Sequence, residues 1–352
     1  MGLFADPALA RTPLAEVASA WLDSNPGKRD GSWQRDEIVV RRHIVPALGS
    51  RAIGSLTPAD VQGAVNRWAA KVSPGTVRRQ YGVLRAIVNY AVANDMLGRS
   101  PCRGIKLPEV TPVKRHIVSA EELAELAEAM GGVGAYGPMV YLGTVAGLRW
   151  GEVAGLRVGQ LDFEARTLAV TQTVVRGRGS AVAFGEPKSA AGRRTLAVPL
   201  GLAEMLCEHI RARGLTVESG DALLFMSPDG GVLRYSNWLR RVWYPATVAA
   251  GLGLIVTDEA TSRKRYVGLG FHDLRRANAT GLVAEGVDIK TAQAVLGHSN
   301  PQLTLGLYAQ AVVSLGEAAA ESMAARFLAP PARDERAMES DFGGSGDSDE
   351  DG

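Results

Sequence analysis

Cysteine is nearly absent from this chain. Its 352 residues include only Cys102 and Cys207, far apart and without metal-ligand partners at useful spacing. That excludes a disulfide framework or a zinc site built on them and leaves two reduced structural thiols. No apolar run approaches the length of a membrane span, and the amino terminus lacks the basic start and apolar stretch of a secretory signal. The expectation is a cytoplasmic protein with no membrane contact, and nothing in the composition calls for a cofactor or a metal. An internal repeat is also missing.

Charge is sparse in sum but not in distribution. The chain carries a formal +2, yet from Arg333 to Gly352 eight acids face only Arg333 and Arg336, a balance of −6, so the remainder holds +8. A body with that surplus is compatible with a polyanionic partner. The Gly/Ser/Asp/Glu tail, residues 329–352, has almost nothing to bury and is expected to be disordered.

Punctuation divides what is there into two helical units. After an amino-terminal tail of residues 1–11, Thr12-Pro13 opens a helix to about Ser24, because proline at the first helical position loses no hydrogen bond. Ser32 is read as the start of a second helix, closed by Pro46 and Gly49. Thr57-Pro58-Ala59-Asp60 is a capping signal, followed by Val61, Ala64, Val65 and Trp68 at the spacing of one buried face. Ser73-Pro74 starts a fourth helix with Val77, Tyr81, Leu84 and Val88 as its apolar stripe. Arg78, Arg79 and Arg85 make its other side basic. A stretch from Ser100 to Val113 reads as extended linker, continued by the basic Lys114 and Arg115, and the domain boundary is placed across residues 106–116. Ser119-Ala120-Glu121-Glu122 then caps the first helix of the second unit, which carries Leu123, Leu126 and Met130 and ends at Gly131.

In the second unit the pattern turns once from helical to alternating. Three short strands fit, at about Thr167 to Val174, Ala181 to Pro187 and Arg194 to Val198, with Ser189 to Gly192 as the turn between the last two. Everything after them reads as helix: Leu202 to Arg213, Ser236 to Ala250, Leu274 to Glu285 and Ile289 to Leu296. The fold class expected is mainly α with a small three-stranded antiparallel sheet, an α+β arrangement.

Chemistry concentrates in a few fragments. Gly147-Leu148-Arg149-Trp150-Gly151-Glu152 follows an apolar helix, and its first glycine permits the left-handed turn that stops a helix and would aim Arg149 into a cleft. Lys188 sits in Glu186-Pro187-Lys188-Ser189 at the end of the second strand. His272-Asp273-Leu274-Arg275 places a histidine and an arginine three residues apart, on one side of a helix start. Leu296-Gly297-His298 follows, and then Tyr308, the only tyrosine after Tyr266. Two guanidiniums match the non-bridging oxygens of a phosphate and neutralise charge as phosphorus becomes five-coordinate. Tyrosine supplies a nucleophile and histidine moves or holds protons, so two arginines, two histidines and a tyrosine are what breaking a phosphodiester without a metal needs.

In order and spacing these fragments resemble the tyrosine recombinases, the phage-integrase family, from about Thr12 to Leu328. The resemblance implies a helical core-type DNA-binding domain over residues 12–105, a linker over 106–116 and a catalytic domain over 117–328. It implies that Arg149 and Arg275 clamp the phosphate and that Lys188 is a mobile general acid. His272 is then a proton acceptor or phosphate ligand, His298 a second phosphate ligand and Tyr308 the nucleophile of a 3′-phosphotyrosyl intermediate. Arg78, Arg79, Arg85, Arg193, Arg194 and Arg276 are read as contacts to DNA. Where many relatives carry a threonine after the arginine pair, this chain has Ala277, which removes a hydrogen bond but no catalytic group.

The expected activity is site-specific recombination of double-stranded DNA through a Holliday junction, integrating phage or mobile-element DNA. The chain would work as a homo-tetramer on two paired sites, in the nucleoid of a bacterial host, with a directionality factor as a further partner. Helices of the core type begin almost at residue 12, so a separate arm-site module is not expected. A dimer-resolving recombinase or a type IB topoisomerase-like enzyme shares this chemistry, and a DNA-binding regulator without catalysis is the reading from another class. An apolar helix over Val312 to Leu328 must bury a face, either on its own domain or, as the resemblance implies, on a neighbouring subunit.

Overall fold

The computed structural model describes residues 6–111, 116–132, 135–177, 181–187, 190–259, 262–297, 299–300, 302, 305–306 and 323–324. Lys188, His298, Tyr308, nearly all of the apolar segment after Tyr308 and the whole acidic tail lie outside the described residues.

The amino-terminal unit is four helical bodies around one core. α1 (Leu14–Asp23) buries Leu14, Val17 and Ala18. α2 (Asp30–Val39) begins at Asp30 rather than Ser32, and Pro46 does not close it. The chain passes through one turn of π-helix, Val40–Ile44, into α3 (Val45–Leu48) with Pro46 in its first turn. Proline lacks an N–H and its ring crowds the carbonyl four residues back, and a widened turn accommodates both without ending the helix. α4 (Pro58–Ala69) is capped as the sequence predicts: the Thr57 side chain accepts from Asp60 N–H (3.3 Å) while Thr57 N–H donates to Asp60 (3.0 Å). Such a cap contributes about 1 kcal/mol. α5 (Pro74–Ala93) buries Val77, Tyr81, Leu84, Ile87 and Val88 against the others and leaves Arg78, Arg79 and Arg85 exposed.

A second core runs from Val118 to Leu274. α6 (Ala120–Gly131) starts with the Ser119–Glu122 capping box and buries Leu123, Leu126 and Met130. α7 (Pro138–Thr144) is almost wholly internal, and α8 (Trp150–Ala154) follows a left-handed turn at Gly147. The strands differ from the sequence reading in pairing. β1 (Leu161–Asp162), β2 (Thr167–Val170) and β5 (Arg194–Ala197) form the three-stranded antiparallel sheet, with Leu168 opposite both Leu161 and Leu196. β3 (Thr173–Arg176) and β4 (Val182–Gly185) form a separate hairpin, so the segment read as one strand over 167–174 is split between two sheets.

α9 (Leu200–Ala212) packs on α7. α10 (Tyr235–Trp238), a π turn over Leu239–Trp243 and α11 (Tyr244–Ala249) form one bent helix that meets Pro245 as the earlier one meets Pro46. The stretch after it is not helical. β6 (Gly253–Thr257) and β7 (Lys264–Gly268) pair as an antiparallel hairpin, which corrects the expectation that everything beyond the sheet is helix. β-branched residues at Ile255, Val256, Thr257 and Val267 favour the pleated backbone there. α12 (Phe271–Ala284) and α13 (Ile289–Leu296) complete the described fold. Among the described residues no helix is long and apolar enough to cross a membrane.

Candidate active site

Arg149 is delivered by backbone geometry. Gly147 has φ +62, and a Cβ there would lie 2.7 Å from Asn278 Oδ1, so a side chain is excluded both by conformation and by space. The chain reverses at this glycine and starts α8 with Arg149 as its N-cap residue, its side chain 39% exposed beside a cleft of about 740 Å³. Trp150 anchors the turn by packing against Tyr235 and Trp238, with ring centroids 4.8 and 5.8 Å away.

His272 and Arg275 come from the first turn of α12. The entry to that helix is fixed from below: Trp243 Nε1–H and Tyr266 Oη–H both donate to Leu269 O (2.8 Å each), and Phe271 sits edge-on to Trp238 and Trp243. His272 is exposed and Arg275 is buried, at 2% exposure. Arg275 Nη1 donates to Gly147 O and Nη2 to Leu296 O, so it joins the Arg149 turn to the end of α13. Arg276 is half-buried beside it.

The end of α13 is the meeting point. Its last carbonyls have no helical partner, and three arginines from three elements supply donors. Arg194 Nε donates to Val295 O (2.8 Å), Arg275 to Leu296 O and Arg149 Nη2 to Gly297 O (3.1 Å). Gly297 is left-handed at φ +58 and terminates the helix as its sequence predicts.

Glu152 balances this cluster from a nearly closed site, 4% exposed. Its Oε1 accepts from Arg149 Nη1 (2.8 Å) and its Oε2 from Arg149 N–H (3.0 Å) and Arg194 Nη2 (3.0 Å). Burial pushes its carboxyl pKa up, but the hydrogen bonds and charge of Arg194, with Arg149 behind, leave it below the ordinary value. Removing the carboxylate strands Arg194, whose side chain is 6% exposed. Glu152→Ala is therefore expected to lose about 3–5 kcal/mol, the cost of breaking one side of a buried pair. Because the folded pKa is depressed, the carboxylate's contribution is present above the unfolded carboxyl value and lost as pH falls through the folded one. Glu152→Gln should accordingly lose stability near neutral pH and show a shallower acid limb. Melting temperatures measured from pH 7 down to pH 3 check both, and parallel wild-type and Gln curves would refute them.

Desolvation, then the positive charges of Arg275 and Arg276, hold the His272 pKa below the ordinary imidazole value. With the residue still exposed overall, the charges are the firmer cause. A neutral ring at physiological pH is able to accept a proton. For Arg275, burial and then Arg149 lower the pKa to about 9, which keeps the guanidinium cationic near neutrality.

Arg149, His272, Arg275 and Arg276 are thus brought together from two parts of the domain. Arg78, Arg79 and Arg85 lie apart from them on α5, where Arg78 Nε donates to Pro108 O (2.9 Å). Arg193 is exposed and paired with Glu186. Arg194 corrects the sequence reading. It is not a surface cation free to meet DNA but an internal brace, and β5 carried the signal, since Arg194 shares its inward face with the buried Leu196. The β3–β4 hairpin that leads to Lys188 touches the first unit, where Gln34 Nε2 donates to Gly177 O (2.9 Å).

Residues 136–314 match the family model described as Phage integrase family, about half of the chain, and residues 14–122 match that of the Phage integrase central domain. The chain belongs to the phage integrase family. This integrase-family protein is similar to the integrase of Mycobacterium phage L5, 28% identical over 322 residues that cover 88% of this chain and 78% of that one. It is also similar to the integrase of Mycobacterium phage FRAT1, 28% identical over 277 residues covering 76% and 74%. In fold it is similar to the Tn1549 transposon integrase solved with transposon right end DNA, with a TM-score of 0.71 at 19% identity, covering 89% of this chain and 99% of that one. Two guanidiniums and a neutral imidazole on a rigid frame are suited to holding one phosphodiester and taking up its developing charge.

Proposed function

We propose that this tyrosine recombinase cleaves and rejoins double-stranded DNA at specific sites through Tyr308, forming a 3′-phosphotyrosyl bond and releasing a 5′-OH. The observation that carries the reading is the convergence of Arg149 and Arg275 on adjacent carbonyls, Gly297 and Leu296, beside a histidine held neutral. Each guanidinium has five donors and commits only part of them to protein acceptors, which leaves N–H groups for a phosphate. Arg149 and Arg275 stabilise the five-coordinate phosphorus, His272 accepts the tyrosine proton, His298 adds a hydrogen bond and Lys188 protonates the departing 5′ oxygen. The phosphotyrosyl bond keeps the energy of the phosphodiester, so a hydroxyl from another strand reverses the reaction without ATP.

The biological reading is integration of a mobile element into a bacterial chromosome. It proceeds as a homo-tetramer on two paired sites through a Holliday junction, with a directionality factor setting its sense. Phage integrases among the relatives support integration over dimer resolution, which uses the same chemistry on different DNA. The exposed arginines Arg78, Arg79 and Arg85 on α5, with Arg193 and Arg276, supply phosphate contacts. Incubation of the protein with nicked half-site DNA, followed by a denaturing gel, tests the reaction: a covalent adduct supports it, and none from any DNA recovered with the protein refutes it.

The acid is tested separately. Lys188→Ala should slow cleavage by about 10²- to 10⁴-fold, the usual worth of general acid help. A substrate whose bridging 5′ oxygen is sulfur needs no proton on its leaving group and should restore the rate. A variant equally slow on both substrates removes Lys188 from that role.

A further inference from the structure

We propose that Arg194 is a positioning residue for the cleavage reaction, a single buried guanidinium that sets the relative placement of the segments carrying Lys188, Arg149 and His298. The inference rests on the recombinase reading of those three residues.

Arg194 opens β5 just past the turn that follows Lys188, and Gly192 O within that turn accepts from its Nη1 (3.2 Å). Its Nη1 and Nη2 reach Glu152 at 3.3 and 3.0 Å, and the same carboxylate holds both the side chain and the backbone N–H of Arg149. Its Nε donates to Val295 O (2.8 Å) in the last turn of α13. At the end of that turn a Cβ on Gly297 would lie 2.7 Å from Ala191 O and 3.0 Å from Arg194 Nη1, so the backbone just before His298 rests directly on the guanidinium. One planar group therefore binds Gly192 O in its own turn, the Glu152 carboxylate that holds Arg149, and Val295 O in the last turn of the helix that leads to His298.

A guanidinium presents its donors in fixed directions in one plane, whereas an ammonium is a point charge on a flexible stem. Lysine in this place would keep the charge but lose the simultaneous alignment. A buried ion pair is also a weak source of net stability, so the arrangement is better accounted for by what it aligns. Of the three arginines that end α13, Arg149 and Arg275 are the ones assigned to the phosphate. Arg194, with its donors turned inward, is the one left to hold the helix end in place.

The full chain carries the test, with Arg194→Lys and Arg194→Gln assayed on nicked half-site DNA below their melting temperatures. The single-turnover rate at saturating DNA should fall by on the order of 10²-fold, the scale expected of a misplacement of about 1 Å. The DNA concentration giving half the maximal rate should stay within about threefold of wild type, because no phosphate contact is lost. Combining Arg194→Lys with Glu152→Gln should cost less than the two single losses multiplied, since Arg194 reaches Arg149 through Glu152. Arg194→Lys keeps the buried charge and decides the question where Arg194→Gln does not fold. A wild-type rate in folded Arg194→Lys overturns the proposal. Multiplicative losses with Glu152→Gln do the same, as does a loss of affinity matching the loss of rate, which would make Arg194 a DNA contact. Failure of the wild-type chain to form any adduct overturns the recombinase reading itself, a separate result.

Discussion

Tyr308→Phe is expected to eliminate the covalent protein–DNA product altogether while leaving DNA affinity nearly unchanged. The substitution removes one oxygen and hardly alters shape, and no other tyrosine follows Tyr266 in the chain. Free phenol titrates near 10 and attacks poorly at neutral pH. In the proposed site the guanidiniums of Arg149 and Arg275 would favour the phenolate, and His272, neutral because desolvation and neighbouring arginines depress its pKa, would take the proton. Without the hydroxyl none of these groups has anything to activate. A denaturing gel that shows full adduct from the Phe variant would sink the assignment of the nucleophile.

The arginine pair should give the next largest effect. Each is proposed to hold charge that grows only as phosphorus becomes five-coordinate, so removing one should depress cleavage by about 10²- to 10³-fold, as for a single oxyanion donor. Binding should change far less. The two positions differ in how cleanly they can be tested. Arg149 is 39% exposed at its side chain, and its loss leaves Glu152 still paired with Arg194, so Arg149→Ala should fold normally. Arg275 is 2% exposed and bonds Gly147 O and Leu296 O, so Arg275→Ala strands two carbonyls and should also lower the melting temperature. Rates and affinities measured side by side decide the matter. Equal losses in both would make the arginines affinity residues and nothing more.

Much of the architecture could be read locally. Thr57 with Asp60, and Ser119 with Glu122, each satisfy backbone N–H groups within one turn, so the helix starts they mark depend on nothing distant. Ile289 to Leu296 is a helix over the residues expected, because Asp288 caps its start and Gly297 adopts the left-handed turn at its end. Pro46 does not end its helix as the sequence suggests, because a proline breaks a helix only if the turn before it cannot widen, and here it does. The β6–β7 hairpin is not legible in the sequence, because a strand of five residues is not stable without its partner. Its pairing, and the stacking of Tyr266 on Tyr244 at 4.1 Å, exist only in three dimensions.

By itself the sequence determined the helical framework, the three-stranded sheet as a class, the family and the order of the reactive side chains. All of these follow from capping, periodicity and residue chemistry that act over a few positions. The tertiary structure alone decided which arginine is which. Arg193 and Arg194 are neighbours of one type, yet one is exposed beside Glu186 and the other is enclosed between Glu152 and the end of α13. A strand sends successive side chains to opposite faces, and only the elements packed on each face determine whether a charge meets solvent or a buried carboxylate.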